Sequence, residues 1–431
     1  MTLTEVAGPT AWRLSTTTLL AGIRAEERRL GETLGLAAFE NVLSDTARSL
    51  MSGPLADRYL LGSAEQRAGA DPVVNAGLLT PGYPLVDTLE GAAQQAARHC
   101  LGARWVDFRP LSGLHATICT VATLTAPGDR VYSFAPADGG HFATAPLAHA
   151  LGRTSGVIPW DRAEGGIDLP AFTAAWRAKP GRMLFLDHGA PLAPLPVAEL
   201  RTVVGPDVRI VYDASHTLGL IFGGVFQDPL AEGCDVVQGN THKSFPGAHK
   251  GMIAFADETL GRQASAAIGS RLVSSQNTGA TLANYITTLE MAAFGREYAR
   301  MMVANQRAFA TRLQQRGAVV RPAGRDSPTG DTHVLLLESM GGRGGYELAA
   351  DLMRAGIRLN ARPVGGQVVI RMGVQEVTRR GLTPGEMTDL AELIGDIATG
   401  GPRGSAPQRI SALAASLRNI HYSFDQDALA A

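Results

Sequence analysis

Cysteine is scarce in this 431-residue chain: Cys100, Cys119 and Cys234 are odd in number, far apart and without a CxxC spacing. No disulfide framework is expected, and the usage suits a reducing, cytoplasmic compartment. Charge of one sign is also missing, since 39 Lys+Arg face 40 Asp+Glu for a formal net charge of -1. Neither a nucleic-acid partner nor a polybasic membrane surface is expected. No apolar run approaches the roughly 18 residues of a membrane helix, and Met1 to Thr18 carries Glu5 and no basic n-region, so no signal peptide is expected. What the chain does have is 45% hydrophobic and 18% charged residues, enough for a sizeable core and too apolar for general disorder. Its 50 glycines and 24 prolines are scattered without period, which implies many tight connections.

Leu14 to Leu50 reads as helical, with Leu30, Leu34 and Leu36 to Ala38 near helix spacing, and gives an N-terminal arm over 1–50. Gly53 to Tyr83 is too irregular for one element, and Pro84 to Leu101 then opens a helix behind the Pro81-Gly82 turn. Helices over Gly113 to Leu124 and around His141 to Leu151 alternate with apolar strands at Val131 to Phe134, Met183 to Leu186, Val208 to Tyr212 and Asp235 to Gln238. That alternation predicts a parallel sheet covered on both faces, within a large domain over 51–284. A long helix from about Tyr285 to Arg316, strands at His333 to Leu337 and Val368 to Met372, and helices at Gly345 to Ala355 and Pro384 to Ala398 predict a smaller α+β domain over 285–400. The tail, 401–431, holds a short helix at Arg409 to Leu417 and an aromatic stretch, Asn419 to Phe424, expected to pack back on the body.

The most informative stretch is Tyr212-Asp213-Ala214-Ser215-His216, followed by Asn240-Thr241-His242-Lys243. An acid ending one apolar strand and a lysine just past the next put both side chains at the sheet edge where α/β folds bind ligands. That pairing suits pyridoxal phosphate. The lysine forms a Schiff base with it, and the acid keeps the pyridinium nitrogen protonated. A lone Asp at a strand end is usually a turn former and a lone Lys is usually solvated. Together, in this order and with His242 before the lysine, they are far more specific.

Asp213 to Leu220 and Thr241-His242-Lys243-Ser244-Phe245-Pro246-Gly247 resemble the corresponding segments of serine hydroxymethyltransferase. The resemblance runs from about Leu30 to Ile397 and implies an α/β fold of the fold-type I, aminotransferase-like kind, with a mainly parallel large domain. It implies roles for further residues. Ser112, Gly113 and Leu114 match the phosphate loop, with Leu114 in place of a family serine. His141, in Ala137-Asp138-Gly139-Gly140-His141, matches the histidine that stacks on the cofactor ring, and His216 and His242 lie beside the cofactor. Arg371 matches the arginine that grips the amino-acid carboxylate, a role suited to a bidentate guanidinium. Tyr59 matches a tyrosine that reaches the neighbouring subunit's phosphate, and Asn277 and Thr278 lie in the segment that completes that site across the dimer. A homodimer with shared active sites is implied. No metal is expected.

The departures fall where the folate-dependent reaction has its special groups. Leu61 stands where the family carries an acid for proton transfer, and leucine exchanges no proton. Thr80 stands near a second family tyrosine, His249 or Lys250 replaces an arginine, and the segment Asn360 to Gln367 is several residues shorter than the family's folate-enclosing loop. Lys243, Asp213, His141 and Arg371 survive. This combination leads us to expect an L-threonine transaldolase, which takes a small amino acid and an aldehyde, with Tyr59 or His242 as alternative proton-transfer groups. The alternatives are a serine or α-methylserine hydroxymethyltransferase, a threonine aldolase, or a non-catalytic paralogue. The segment Asp187 to Leu195 also departs from the family, and would contact the acceptor or merely turn the chain.

Overall fold

The computed structural model describes residues 16–425 apart from 68, 76, 324–328 and 401–404. The expectations for the chain start, and for the opening and last residues of the tail, lie outside them. Apolar runs buried on both faces form the main sheet, as in Met183–Leu186, where all four side chains are buried. Its seven strands lie in the order Trp105–Asp107, Pro246–Phe255, Val236–His242, Arg209–Asp213, Met183–Leu186, Arg130–Phe134, Thr154–Ile158. Five neighbours from Val236–His242 onward pair in parallel, whereas Pro246–Phe255 runs antiparallel to both of its neighbours. Lys243 therefore sits in the reversal between a parallel strand and an antiparallel one.

A second sheet, all antiparallel, orders Val319–Val320, Val334–Met340, Gln367–Gly373 and Asn360–Val364. The hairpin between the last two turns through Gly365 and Gly366, both at positive φ (64 and 86), the backbone a two-residue turn requires. One 38-residue helix, Thr278–Gln315, serves two apolar cores. Leu282, Tyr285 and Met302 pack into the core of the large sheet, and Phe309, Ala310 and Leu313 into that of the smaller one. It starts earlier than the expected Tyr285 because Asn277 adopts φ 54 and its side chain accepts the N–H of Ala280, which fixes the first turn.

The expected helix from Leu14 to Leu50 is corrected. Helix Thr16–Gly31 stops, and Leu34–Gly35 becomes a strand paired in parallel with Ile357–Arg358 before a short helix, Asp45–Leu50, begins at the Ser44 cap. Leu30 stays exposed on that first helix, at 43%, whereas Leu34 and Leu36 are buried by the distant pairing, at 1% and 0%. The tail does return to the body. Phe424 donates its N–H to Glu290, the Tyr422 ring lies 5.3 Å from Tyr298, and the Asp425 carboxylate accepts the N–H groups of Asp45 and Thr46. Among the described residues no helix is long and apolar enough to cross a membrane.

Candidate active site

At the carboxyl ends of the parallel strands, Asp213 closes Arg209–Asp213 and Lys243 follows Val236–His242. Asp213 is held on both sides: one oxygen accepts the Ser215 N–H at 2.8 Å, the other the Gln238 amide at 3.3 Å. Gln238 also donates to Thr117 and accepts from Thr120, so the polar chain beneath the acid is anchored in helix Gly113–Leu124. Burial pushes the Lys243 amine down to about 8, with Asp213 opposing and Arg371 adding to the shift. Its Nζ lies 3.4 Å from His216 Nε2, and the same imidazole nitrogen lies 3.4 Å from the Arg371 guanidinium. Burial, then Lys243 and Arg371, hold His216 well below the usual histidine range, so it stands neutral between two bases.

Arg371 is 6% exposed. Its guanidinium donates to the Gly189 carbonyl at 2.5 Å and to Asn360 at 3.2 Å, and no carboxylate of the described residues pairs with it. Burial, then Arg362, bring it down to about 10, because no anion offsets the cost of burying its charge. Across the site His141 feels both Asp213 and Lys243, and burial lowers its pKa first of all. Its loop is shaped by close approach: a Cβ at Gly140 would lie 2.2 Å from the Phe134 carbonyl, and one at Gly139 would meet the His188 ring at 2.4 Å.

Ser112 caps helix Gly113–Leu124 by accepting the His115 N–H, and the Gly113 N–H donates to Asn240. A Cβ at Gly113 would lie 2.1 Å from the Asn240 side-chain oxygen, so a larger residue here would displace the amide that accepts the Gly113 N–H. Leu114 is 43% exposed on the first turn. His242 stacks on His249 at 3.5 Å, and burial pushes it down to about 3.

The family model described as serine hydroxymethyltransferase matches residues 15–394. The chain belongs to that family. A fluorothreonine transaldolase of Streptantibioticus cattleyicolor is 38% identical over 412 residues, covering 94% of this chain and 63% of that protein, so the chain spans less than two thirds of this relative. A serine hydroxymethyltransferase of Pyrobaculum calidifontis is 32% identical and is covered to 93%, as is this chain. A crystal structure described as L-threonine transaldolase from Pseudomonas fluorescens in the internal aldimine state superposes with a TM-score of 0.84 at 28% identity, covering 95% of this chain and 94% of that one.

Not every residue expected from the hydroxymethyltransferase resemblance gathers at the lysine. Tyr59, 68% exposed, lines a separate cavity of about 970 Å³ with Leu61, Thr80 and Ser274. Thr278 donates to the Arg58 carbonyl and Gln276 to those of Leu60 and Gly62, so the Tyr59 and Asn277–Thr278 segments form one linked patch. Lys250, 1% exposed, donates to the Gln276 carbonyl and the Thr281 hydroxyl and braces that patch. The segment Asp187 to Leu195 both turns the chain and walls a cavity of about 670 Å³ with Trp160 and Val364. His188 stacks on Trp160 there at 4.5 Å. Sequence reasoning missed Gln238, Asn240 and the brace at Lys250. Only their position in or beside the strand bearing the lysine could have signalled them.

Proposed function

We propose that this hydroxymethyltransferase-family chain is a pyridoxal phosphate-dependent L-threonine transaldolase. It would release acetaldehyde from L-threonine and join the remaining glycyl unit to a second aldehyde, giving a new β-hydroxy-α-amino acid without folate. The residues present fit the cofactor. Lys243 would bond it, Asp213 would meet its ring nitrogen, and His141 would cover the ring, with His216 and His242 beside it. Ser112, Gly113 and Leu114 would offer its phosphate the N-terminus of a 12-residue helix. Once bound, the group supplies an electron sink for the pair left at Cα when the Cα–Cβ bond breaks.

The chain's own residues do the rest. Arg371, lacking a carboxylate partner among the described residues, takes the substrate carboxylate. Neutral His216 fixes the direction of Lys243 and Arg371 together. His141, kept below the usual imidazole range, accepts the β-hydroxyl proton and returns it to the acceptor's oxygen. Tyr59 is the alternative, and His242 is the weaker base. Tyr59, Asn277 and Thr278, grouped away from the lysine, support a homodimer in which each chain completes its partner's phosphate site. Three free cysteines, two of them buried, support a cytoplasmic home.

Leu61 carries the choice of reaction. It lines the cavity beside Tyr59, where it exchanges no proton, and the two-residue Gly365-Gly366 turn agrees with a segment shorter than the family's folate-enclosing loop. The similarity to two proteins named as transaldolases points the same way. The test incubates the purified protein with L-threonine and a panel of aldehydes without folate, and in parallel with L-serine and tetrahydrofolate. Acetaldehyde release with new β-hydroxy amino acids is the expected result. Folate-dependent turnover of serine at a rate matching or exceeding that on threonine overturns the assignment.

A further inference from the structure

Asp187 takes no part in the chemistry proposed above, yet it is 3% exposed and directly follows strand Met183–Leu186. One oxygen accepts the Phe134 N–H at 3.1 Å and the other the His141 N–H at 3.2 Å, while the Thr144 hydroxyl also bonds the carboxylate. These donors bracket a single loop. Phe134 ends the neighbouring strand, His141 closes the Gly139-Gly140 turn, and Thr144 opens helix Thr144–Ala150. The carboxylate is thus the only side chain among those with described bonds that ties both ends of the loop bearing His141. A bridge between Gly140 and His188 runs beside it.

No arginine or lysine of the described residues pairs with this carboxylate. Asp213 faces it from the next strand and raises its pKa, His141 faces it from the loop, and the adjacent His188, brought down to about 4 by burial, is neutral. Burial is the largest cause and raises Asp187 to about 7 despite its three donors. Three donors need an acceptor-only group. The ionised carboxylate satisfies all of them, whereas protonation turns one oxygen into a competing donor.

We infer that Asp187 is a positioning residue: its carboxylate sets where His141 stands over the catalytic face by gripping the loop at Phe134, His141 and Thr144. The inference rests on the role proposed for His141. It makes Asp187 a second group, beside His141, whose ionisation shapes the acid side of the reaction.

The test compares the cofactor-loaded protein with Asp187→Asn and Thr144→Val by two readouts. Hydrogen exchange of the segment 134–144 reports the loop without any turnover. We expect about 10-fold faster exchange in Asp187→Asn, with strand Arg209–Asp213 unchanged. The pH profile of threonine cleavage is the second readout. In the parent its acid limb centres near the Asp187 value. Thr144→Val, which removes only a donor to the carboxylate, moves that limb up by about half a pH unit or more, and Asp187→Asn leaves only the lower limb that His141 itself sets. An unshifted limb in Thr144→Val together with unchanged loop exchange overturns the inference. If Asp187→Asn does not fold, Thr144→Val decides it on both readouts. Should threonine not be cleaved at all, the transaldolase reading fails while the exchange arm still decides the role of Asp187.

Discussion

The amine of Lys243 lies 3.4 Å from Nε2 of His216, and burial drives both groups toward their neutral forms. A lysine must be neutral to attack an aldehyde, so the protein has moved it most of the way there before any ligand arrives. The rate at which cofactor-free protein binds pyridoxal phosphate should rise about tenfold per pH unit below 8 and level off above it. Stopped-flow absorbance between pH 6 and 10 measures this, and a rate still climbing at pH 10 contradicts the geometry. The stability sign follows. A lysine depressed from 10.5 to about 8 contributes full stability above 10.5 and loses it as pH falls through 8, so cofactor-free Lys243→Met should lack that slope.

Arg371→Lys keeps the charge and loses the planar fork. The KM for threonine should rise about 10- to 100-fold with kcat changed less, because the change removes ground-state binding of the carboxylate. A larger effect on kcat than on KM in steady-state kinetics would move Arg371 out of the carboxylate role.

The patch holding Tyr59 and Thr278 lines a cavity apart from Lys243, which sets up a complementation test. Lys243→Ala and Tyr59→Ala homodimers should each be nearly inactive. Unfolding and refolding them together should restore about a quarter of parental activity, since random pairing makes half the dimers mixed and each mixed dimer keeps one intact site. No recovery in the mixture rules out shared sites.

Arg379 and Glu290 form an ion pair at 2.9 Å with both side chains at 0% exposure. Arg379→Met leaves Glu290 buried without its partner, and should cost about 3–5 kcal/mol in urea unfolding. Arg379 also bonds the Tyr422 carbonyl and Glu290 accepts the Phe424 N–H, so proteolysis should release the tail first. A loss below about 1 kcal/mol would show that the pair contributes little.

The sequence exposed the acid and lysine because their strands are short, apolar and close in number, with Asp213 at one strand's end and Lys243 just past the next. It hid Pro246–Phe255, a ten-residue strand, because Pro246, Gly247, Ala248 and Gly251 carry little strand propensity and tertiary pairing alone makes them extended. Leu34 departs from the expected helix for a related reason. Its partner Ile357 is hundreds of residues away, and local spacing imitated a helix. Asp187 and Gln238 looked like ordinary polar residues at strand ends, since only the assembled sheet shows whose N–H groups reach them.

The Gly365-Gly366 turn bears on how this family can diverge. Closing a loop costs only about 0.6 kcal/mol more for each doubling of its length, far less than repacking a strand. A lineage can therefore shorten or regrow this hairpin tip while Arg371, further along the same strand, keeps its register opposite Leu336 and Asn360. The strand that carries Arg371 and the tip of its hairpin can thus be altered independently. Transplanting a longer tip from a serine hydroxymethyltransferase is a direct way to ask whether this chain can be made to accept folate.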